Sequence, residues 1–189
     1  MTDEACLIQR LKQRDEAAFR QFVRIHEQQV YQLVYRLLGD AEEARDISQE
    51  VFVSAFRAIG NFRGDARLST WLYRIATNHC RNRYKYLGRR SYNRHESYEE
   101  YRVKAAGPVA GERLPQPDRE AEARRMEKAL QQAIASLDEE HRELIVLRDI
   151  QGLTYEEIQG ITGLASGTVK SRLHRARVAL KAKIAPMLE

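Results

Sequence analysis

The helical period of this chain is interrupted by one long stretch. Between Arg94 and Asp118 lie three of its four prolines, Pro108, Pro115 and Pro117, together with Gly107 and Gly111 and no sustained apolar repeat. Proline removes an amide donor and glycine is costly to order, so such a stretch ends helices and reads as a flexible tether. On either side of it apolar residues recur every three or four positions. The expected architecture is all-α: one small helical domain at 1–93, a linker at 94–118 and a second at 119–189. A length of 189 residues suffices for two small domains, and 43% hydrophobic with 31% charged residues excludes a disordered chain.

In the first block, Leu7, Ile8 and Leu11 open an amphipathic pattern that Phe19, Phe22, Val23, Val30, Leu33, Val34 and Leu37 continue. Gly39 ends it, and Asp40 with Glu43 has the spacing of a capping box for the next helix. Ala44, Ile47, Val51, Ala55 and Ile59 then form one stripe, and after the break at 60–65 a further helix is expected over Leu68–Leu87. The second block has four helical stretches. The first carries Ala123, Met126, Leu130, Ile134 and Leu137; the second carries Leu144, Ile145, Leu147 and Ile150, with Ser136 and Glu139 in capping-box spacing. Thr154 and Glu157 form another such pair before Ile158 and Ile161, Gly163 turns the chain, and Ser166 is the expected cap of a last helix with Val169, Leu173, Leu180 and Ile184 inward.

Other classes drop out. No apolar run approaches the roughly 20 residues of a membrane span. Asp3 and Glu4 and the lack of a long apolar core argue against a secretory leader. Cys6 and Cys80 have no ligand spacing, so neither a disulfide scaffold nor a metal site is expected, and a reducing cytoplasm fits. The five histidines are paired with neither a nucleophile nor a second ligand, so no catalytic activity and no cofactor are expected.

A formal charge of +5 hints at a polyanionic partner, and the location of that charge is more informative. Thr154–Arg177 has the order of a DNA-reading helix-turn-helix: a short capped helix, a glycine turn, then a basic helix with Lys170, Arg172, Arg175, Arg177, Lys181 and Lys183. With Val169 and Leu173 inward, Lys170, Ser171, His174 and Arg175 point outward to reach base edges, while Arg172 and Arg177 suit phosphates. Gln159 and Gly160 weaken the motif, since a small apolar residue is common at the first and glycine costs about 1 kcal/mol against alanine at the second.

From Arg57 to Arg94 there are ten Lys/Arg residues and one acid, Asp65, interleaved with Phe62, Trp71, Tyr73, Tyr84, Tyr86 and Tyr92. Cations suit phosphates and aromatic faces stack on unpaired bases, so the mixture fits opened DNA. Asn78 and Asn82, one turn apart, have the amides to bond an unstacked base; surface and capping roles fit them too, and Trp71, Leu72 and Ile75 read equally as core. Asp46, Gln49, Glu50 and Val53 share the face opposite Ile47, Val51 and Ala55. By itself that is a solvated stripe; in a basic protein its acids point toward a protein partner.

Three segments carry a family resemblance. Asp46-Ile-Ser-Gln49-Glu50-Val-Phe52 resembles the core-polymerase-binding motif of bacterial sigma factors of the extracytoplasmic-function class. Phe62-Arg-Gly-Asp65, then Thr70-Trp-Leu-Tyr-Arg-Ile-Ala76 and Asn78, resembles their promoter-melting segment, and Tyr155-Glu-Glu-Ile158 with Gly167-Thr-Val-Lys-Ser-Arg-Leu-His-Arg-Ala-Arg177 resembles their minus-thirty-five reader. The resemblance covers nearly the whole chain. It implies a region 2 bundle and a region 4 helix-turn-helix joined by a linker, and partners in core RNA polymerase (the clamp helices of the largest subunit and the flap), promoter DNA and an anti-sigma factor. It assigns Asp46, Gln49, Glu50 and Phe52 to the polymerase. Phe62, Trp71, Arg74, Ile75, Asn78 and Asn82 go to minus-ten DNA, and Thr168, Lys170, Ser171, Arg172, His174 and Arg175 to minus-thirty-five DNA. The family often has arginine at Lys170 and a capping serine at Ala165, and this linker is longer and more acidic than expected. Two other functions compete for the same residues. A stand-alone helix-turn-helix regulator accounts for the last 70 or so residues but not for the polar stripe or the aromatic segment; a DNA-processing enzyme lacks its carboxylates or nucleophile.

Overall fold

The computed structural model describes residues 3–94 and 117–187, with side chains at 3–88 and 121–186. Most of the expected linker, and Tyr92, lie outside these described side chains. Eight α-helices are present in the described residues: α1 Asp3–Lys12, α2 Glu16–Leu38, α3 Ala41–Ala58, α4 Leu68–Arg94, α5 Pro117–Ala135, α6 Glu139–Ile145, α7 Tyr155–Thr162 and α8 Ser166–Ile184. The all-α expectation holds.

Helices α2, α3 and α4 pack on one another, with α1 across α2. The seam is the stripe read from the sequence: Ala44, Ile47, Val51, Ala55 and Ile59 are all buried, against Phe22, Leu33, Val34, Leu68, Leu72 and Ala76. Each large side chain fully buried there contributes about 1.5–3 kcal/mol. Gly39 (φ 81°) ends α2 in the left-handed region, its amide donating to Tyr35 O at 2.8 Å, and the Asp40 carboxylate takes the Glu42 and Glu43 amides at 2.9 Å. Only half of that capping box forms, because the Glu43 carboxylate pairs instead with Arg83 at 2.5 Å.

Three local expectations are corrected. The first amphipathic pattern is two helices: Arg14 turns the chain at φ 62° and Asp15 caps α2 through the Ala17 and Ala18 amides. Arg14 is held there because its guanidinium caps the α3 C-terminus through Phe56 O and lies 4.7 Å from the Phe56 ring centroid. Ser136 caps nothing; its hydroxyl donates to Ala133 O at 2.8 Å and Asp138 stands at the N-cap of α6. Ser166 is the first residue of α8, after Ala165 as an N-cap with no side-chain bond. Helix α4 also runs past Leu87 to Arg94, and α5 begins inside the expected linker at Pro117.

In the second block α8 packs on α5, α6 and α7. Helix α6 runs into a π turn at Val146–Ile150, closed by Gln151 N donating to Val146 O at 2.9 Å. Thr154 and Glu157 form the complete capping box expected, and Gly163 (φ 74°) makes the left-handed turn between α7 and α8.

The two blocks share one buried cluster and a set of polar clasps. Arg36 donates to Gln131 at 2.9 Å and Glu127 at 2.7 Å. Arg81 forks onto Glu143 at 2.9 and 2.5 Å, and the Thr70 hydroxyl donates to Glu157 at 2.9 Å. The buried Arg142 guanidinium donates across the junction to Leu37 O at 2.7 Å and the Tyr84 hydroxyl, and within its own block to Ala135 O and Leu137 O at 2.7 and 2.8 Å.

Candidate functional site

The polar stripe stands on α3 as the period requires. Asp46, Gln49, Glu50 and Val53 are exposed while Ile47, Val51 and Ala55 are buried behind them. Phe52, assigned to the same contact, is different: it is 8% exposed and its ring meets Phe22 edge-on at 5.8 Å. It supports the stripe from the core. Glu50 Oε2 lies 3.2 Å from His79 Nδ1, and His79 Nε2 lies 2.9 Å from the Ser54 hydroxyl.

On α4 the spacing of four, three and four puts Trp71, Ile75, Asn78 and Asn82 along one strip. Trp71 and Ile75 are half-buried, Asn78 and Asn82 exposed, and Leu72, Tyr73, Ala76 and Cys80 buried on the other side. Phe62 is buried at the head of the strip, its ring centroid 5.3 Å from that of Trp71. Beside it opens a cleft of about 1150 Å³. Phe62, Trp71 and Arg74 line it with Arg63 and Arg67; Ile75, Asn78 and Asn82 continue along α4 outside its lining. The opposite wall is α7, through Glu156, Glu157 and Gly160. Burial pushes the Glu157 carboxyl up, but the Thr154 amide and the Thr70 and Thr154 hydroxyls outweigh it, leaving it below the usual carboxylate range. Burial pushes the Cys80 thiol strongly up, toward its protonated form.

On α8, Lys170, Ser171, His174 and Arg175 are exposed, and Val169, Leu173 and Ala176 are buried beneath them. Thr168 is half-buried and its carbonyl accepts the Ser171 hydroxyl at 3.1 Å. Arg172 pairs with Glu140, and Arg177 forks onto Asp149 at 3.0 and 2.5 Å. The Asp149 hydrogen bond raises the Arg177 pKa, and the two ion pairs tie α8 to the preceding elements. Lys170 Nζ lies 5.7 Å from the Tyr155 ring centroid, and the Arg148 guanidinium 4.9 Å from it.

Sequence reasoning missed the groups that join these surfaces. In the sequence His79 reads only as a histidine with no paired nucleophile or second ligand, and Arg142, Glu143 and Glu157 carry no signal of their partners on the other block. Only a charged residue amid the apolar positions Leu137, Leu144 and Ile145 hinted at Arg142.

Comparison with known proteins settles the family. Residues 22–90 match the family Sigma-70 region 2, and residues 127–180 match Sigma-70, region 4. The RNA polymerase sigma-H factor of Pseudomonas aeruginosa is 36% identical over 182 residues, covering 96% of this chain and 94% of its own. The chain belongs to the ECF RNA polymerase sigma factors of the sigma-70 family. The ECF sigma-E factor of Escherichia coli K12 is 34% identical over 189 residues, covering 100% and 97%. Among solved structures, CnrH in complex with the cytosolic domain of CnrY aligns at TM-score 0.67 with 26% identity over 95% of both chains. RpoE in complex with the anti-sigma factor NepR, from Bartonella quintana, shares the fold at TM-score 0.68 and 22% identity over 88% and 96%. As an alternative sigma factor the chain works in transcription initiation, with core RNA polymerase and promoter DNA as its partners. Among the described residues no helix is long and apolar enough to cross a membrane, and no group of three His, Cys, Asp or Glu is placed to hold a metal ion.

Proposed function

We propose that this sigma factor docks on core polymerase through Asp46, Gln49 and Glu50, with Phe52 as their support, in the cytoplasm and without catalysis of its own. Phe62, Trp71, Arg74, Ile75, Asn78 and Asn82 capture an unstacked minus-ten base. Unstacking costs a few kcal/mol, which aromatic and amide contacts and phosphate neutralisation offset. Lys170, Ser171, His174 and Arg175 read the minus-thirty-five duplex, with Thr168 and Arg172 beside them on the same helix as further DNA contacts. The working units are residues 1–93 and 119–189, and the tether at 94–118 turns two weak DNA contacts into one binding event by effective concentration. An anti-sigma factor is the proposed inhibitor, as RpoE, which shares this fold, is held in its solved complex with the anti-sigma factor NepR.

The observation that carries the reading is the α3 stripe: three polar side chains exposed in register on a helix whose other face is wholly core. Its test is binding to purified core polymerase by the native chain and by an Asp46→Ala/Glu50→Ala double variant. Native binding at least about ten-fold tighter is expected, since each lost charged contact is worth about 1 kcal/mol or more. Equal binding by both would remove the stripe from the polymerase contact; no binding by folded native chain would sink the whole reading.

A further inference from the structure

Along the α3–α4 seam two glutamates reach across to α4, and they are held very differently. Glu43 is forked onto Arg83 through both oxygens at 2.5 Å and is 17% exposed at the side chain. Glu50, seven residues on, is held among the described residues through Oε2 alone, by His79 Nδ1 at 3.2 Å, and keeps 60% of its side chain exposed. A bidentate pair leaves little acceptor capacity and a buried geometry. A single bond fixes the direction of the carboxylate and leaves Oε1 for another donor.

The imidazole is itself fixed. Its neighbours along α4, Ala76 and Cys80, are at 0% and 1% exposure, so the backbone that carries it is part of the core wall. An ionised carboxylate only accepts, so Nδ1 bears the proton toward Glu50; the neutral ring then accepts the Ser54 hydroxyl at Nε2, 2.9 Å away. A serine hydroxyl donates or accepts, so the same orientation also serves the doubly protonated ring. Ser54 stands four residues after Glu50 on the same helix, which makes the three groups a closed brace: α3 supplies both ends and α4 the middle.

We infer that His79 is a positioning residue for polymerase docking: it aims the Glu50 carboxylate outward from α3 and ties that contact to α4, where the adjacent Asn78 belongs to the base-capture strip. The inference rests on the proposed role of Glu50 and deepens it. An exposed glutamate without such a brace spends side-chain rotamer entropy on each docking event; a braced one has spent it on folding.

The test is a double-mutant cycle on affinity for core polymerase with full-length chain: native, Glu50→Ala, His79→Ala and the pair, each checked for native-like thermal unfolding. The expected result is a loss of about five-fold for each single variant and no further loss for the pair, the scale of one net hydrogen bond acting through another. His79→Asn, which keeps an amide donor near the Nδ1 position, should recover most of the affinity, as a space-filling role alone would not require. Ser54→Ala, which keeps the fold independent of any change on α4, should lose about two-fold by releasing the far side of the ring. A loss for Glu50→Ala with none for His79→Ala, or losses that add in the pair, would overturn the positioning role while leaving the Glu50 contact standing. No loss for Glu50→Ala would overturn the docking assignment itself.

Discussion

The Thr154 hydroxyl accepts the Glu157 amide at 3.2 Å, the Glu157 carboxylate accepts the Thr154 amide at 2.9 Å, and its other oxygen accepts the Thr70 hydroxyl at 2.9 Å. One carboxylate thus closes a helix start and fastens that helix to α4. Thr154→Ala should destabilise the second block by about 1 kcal/mol in urea unfolding, the usual worth of such a cap. The pH dependence has a definite sign. The folded pKa of Glu157 lies below the ordinary glutamate value of 4.5, so the unfolded chain binds the proton more readily. Its stabilisation is present above that ordinary value and is lost as pH falls through the lower folded one. Glu157→Gln should therefore differ most from native near neutral pH and converge with it on acidification. A difference independent of pH would remove the ionised carboxylate from the account.

At the scale of the helix, α6 depends on a charge in the core. Arg142 is 3% exposed, and four bonds to oxygens at Leu37, Tyr84, Ala135 and Leu137 satisfy its two terminal nitrogens, while Nε has no partner among the described residues. Two of those oxygens are carbonyls of the α5–α6 junction, where the helix end has no intrahelical donors left. Arg142→Ala should cost about 2–3 kcal/mol in chemical denaturation, because it opens a cavity and strips donors from buried carbonyls at once. This is also where the sequence runs out. Gly39, Asp40, Thr154 and Gly163 were legible because turn and cap chemistry act over four residues or fewer. Ser136 and Ser166 were misread by the same rule, since Asp138 and Ala165 take the N-cap positions and spacing alone does not show which residue leaves the helix. The stripe on α3 follows from period and stands where period puts it, whereas on α4 period alone left Trp71 and Ile75 open between core and surface, and they are half-buried. The partners of Arg142 on the other block, of Glu143 and of His79 lie 58–105, 62 and 25–29 residues away, and no local pattern encodes such pairings.

Taken as a whole molecule, the two blocks meet through contacts that most members can exchange for one at home. Without the junction Leu37 O keeps the Tyr84 hydroxyl, Arg142 keeps Ala135 O and Leu137 O, and Glu157 keeps the Thr154 amide. The arginines at Arg36 and Arg81 and the acids at Glu127 and Glu143 are left for water, which hydrates them well. Separation therefore strands few polar groups, and its main cost is the apolar area the blocks share. The packed arrangement also sets the acids of α7 against the cleft that Phe62, Trp71 and Arg74 line, so an anionic strand entering there meets Glu156 and Glu157. The free chain should consequently bind single-stranded minus-ten DNA weakly until the blocks part. A Glu127→Ala/Glu143→Ala variant removes the two acids that clasp Arg36 and Arg81 and leaves every DNA-facing residue in place. Small-angle scattering should give it a larger radius of gyration than the native chain in low salt, and labelled single strands should bind it several-fold tighter. High salt should narrow the difference in radius, because screening shortens to about 3 Å at 1 M and loosens the native clasps as well. Tighter binding at an unchanged radius would reduce the effect to net charge and remove the closed state from the explanation.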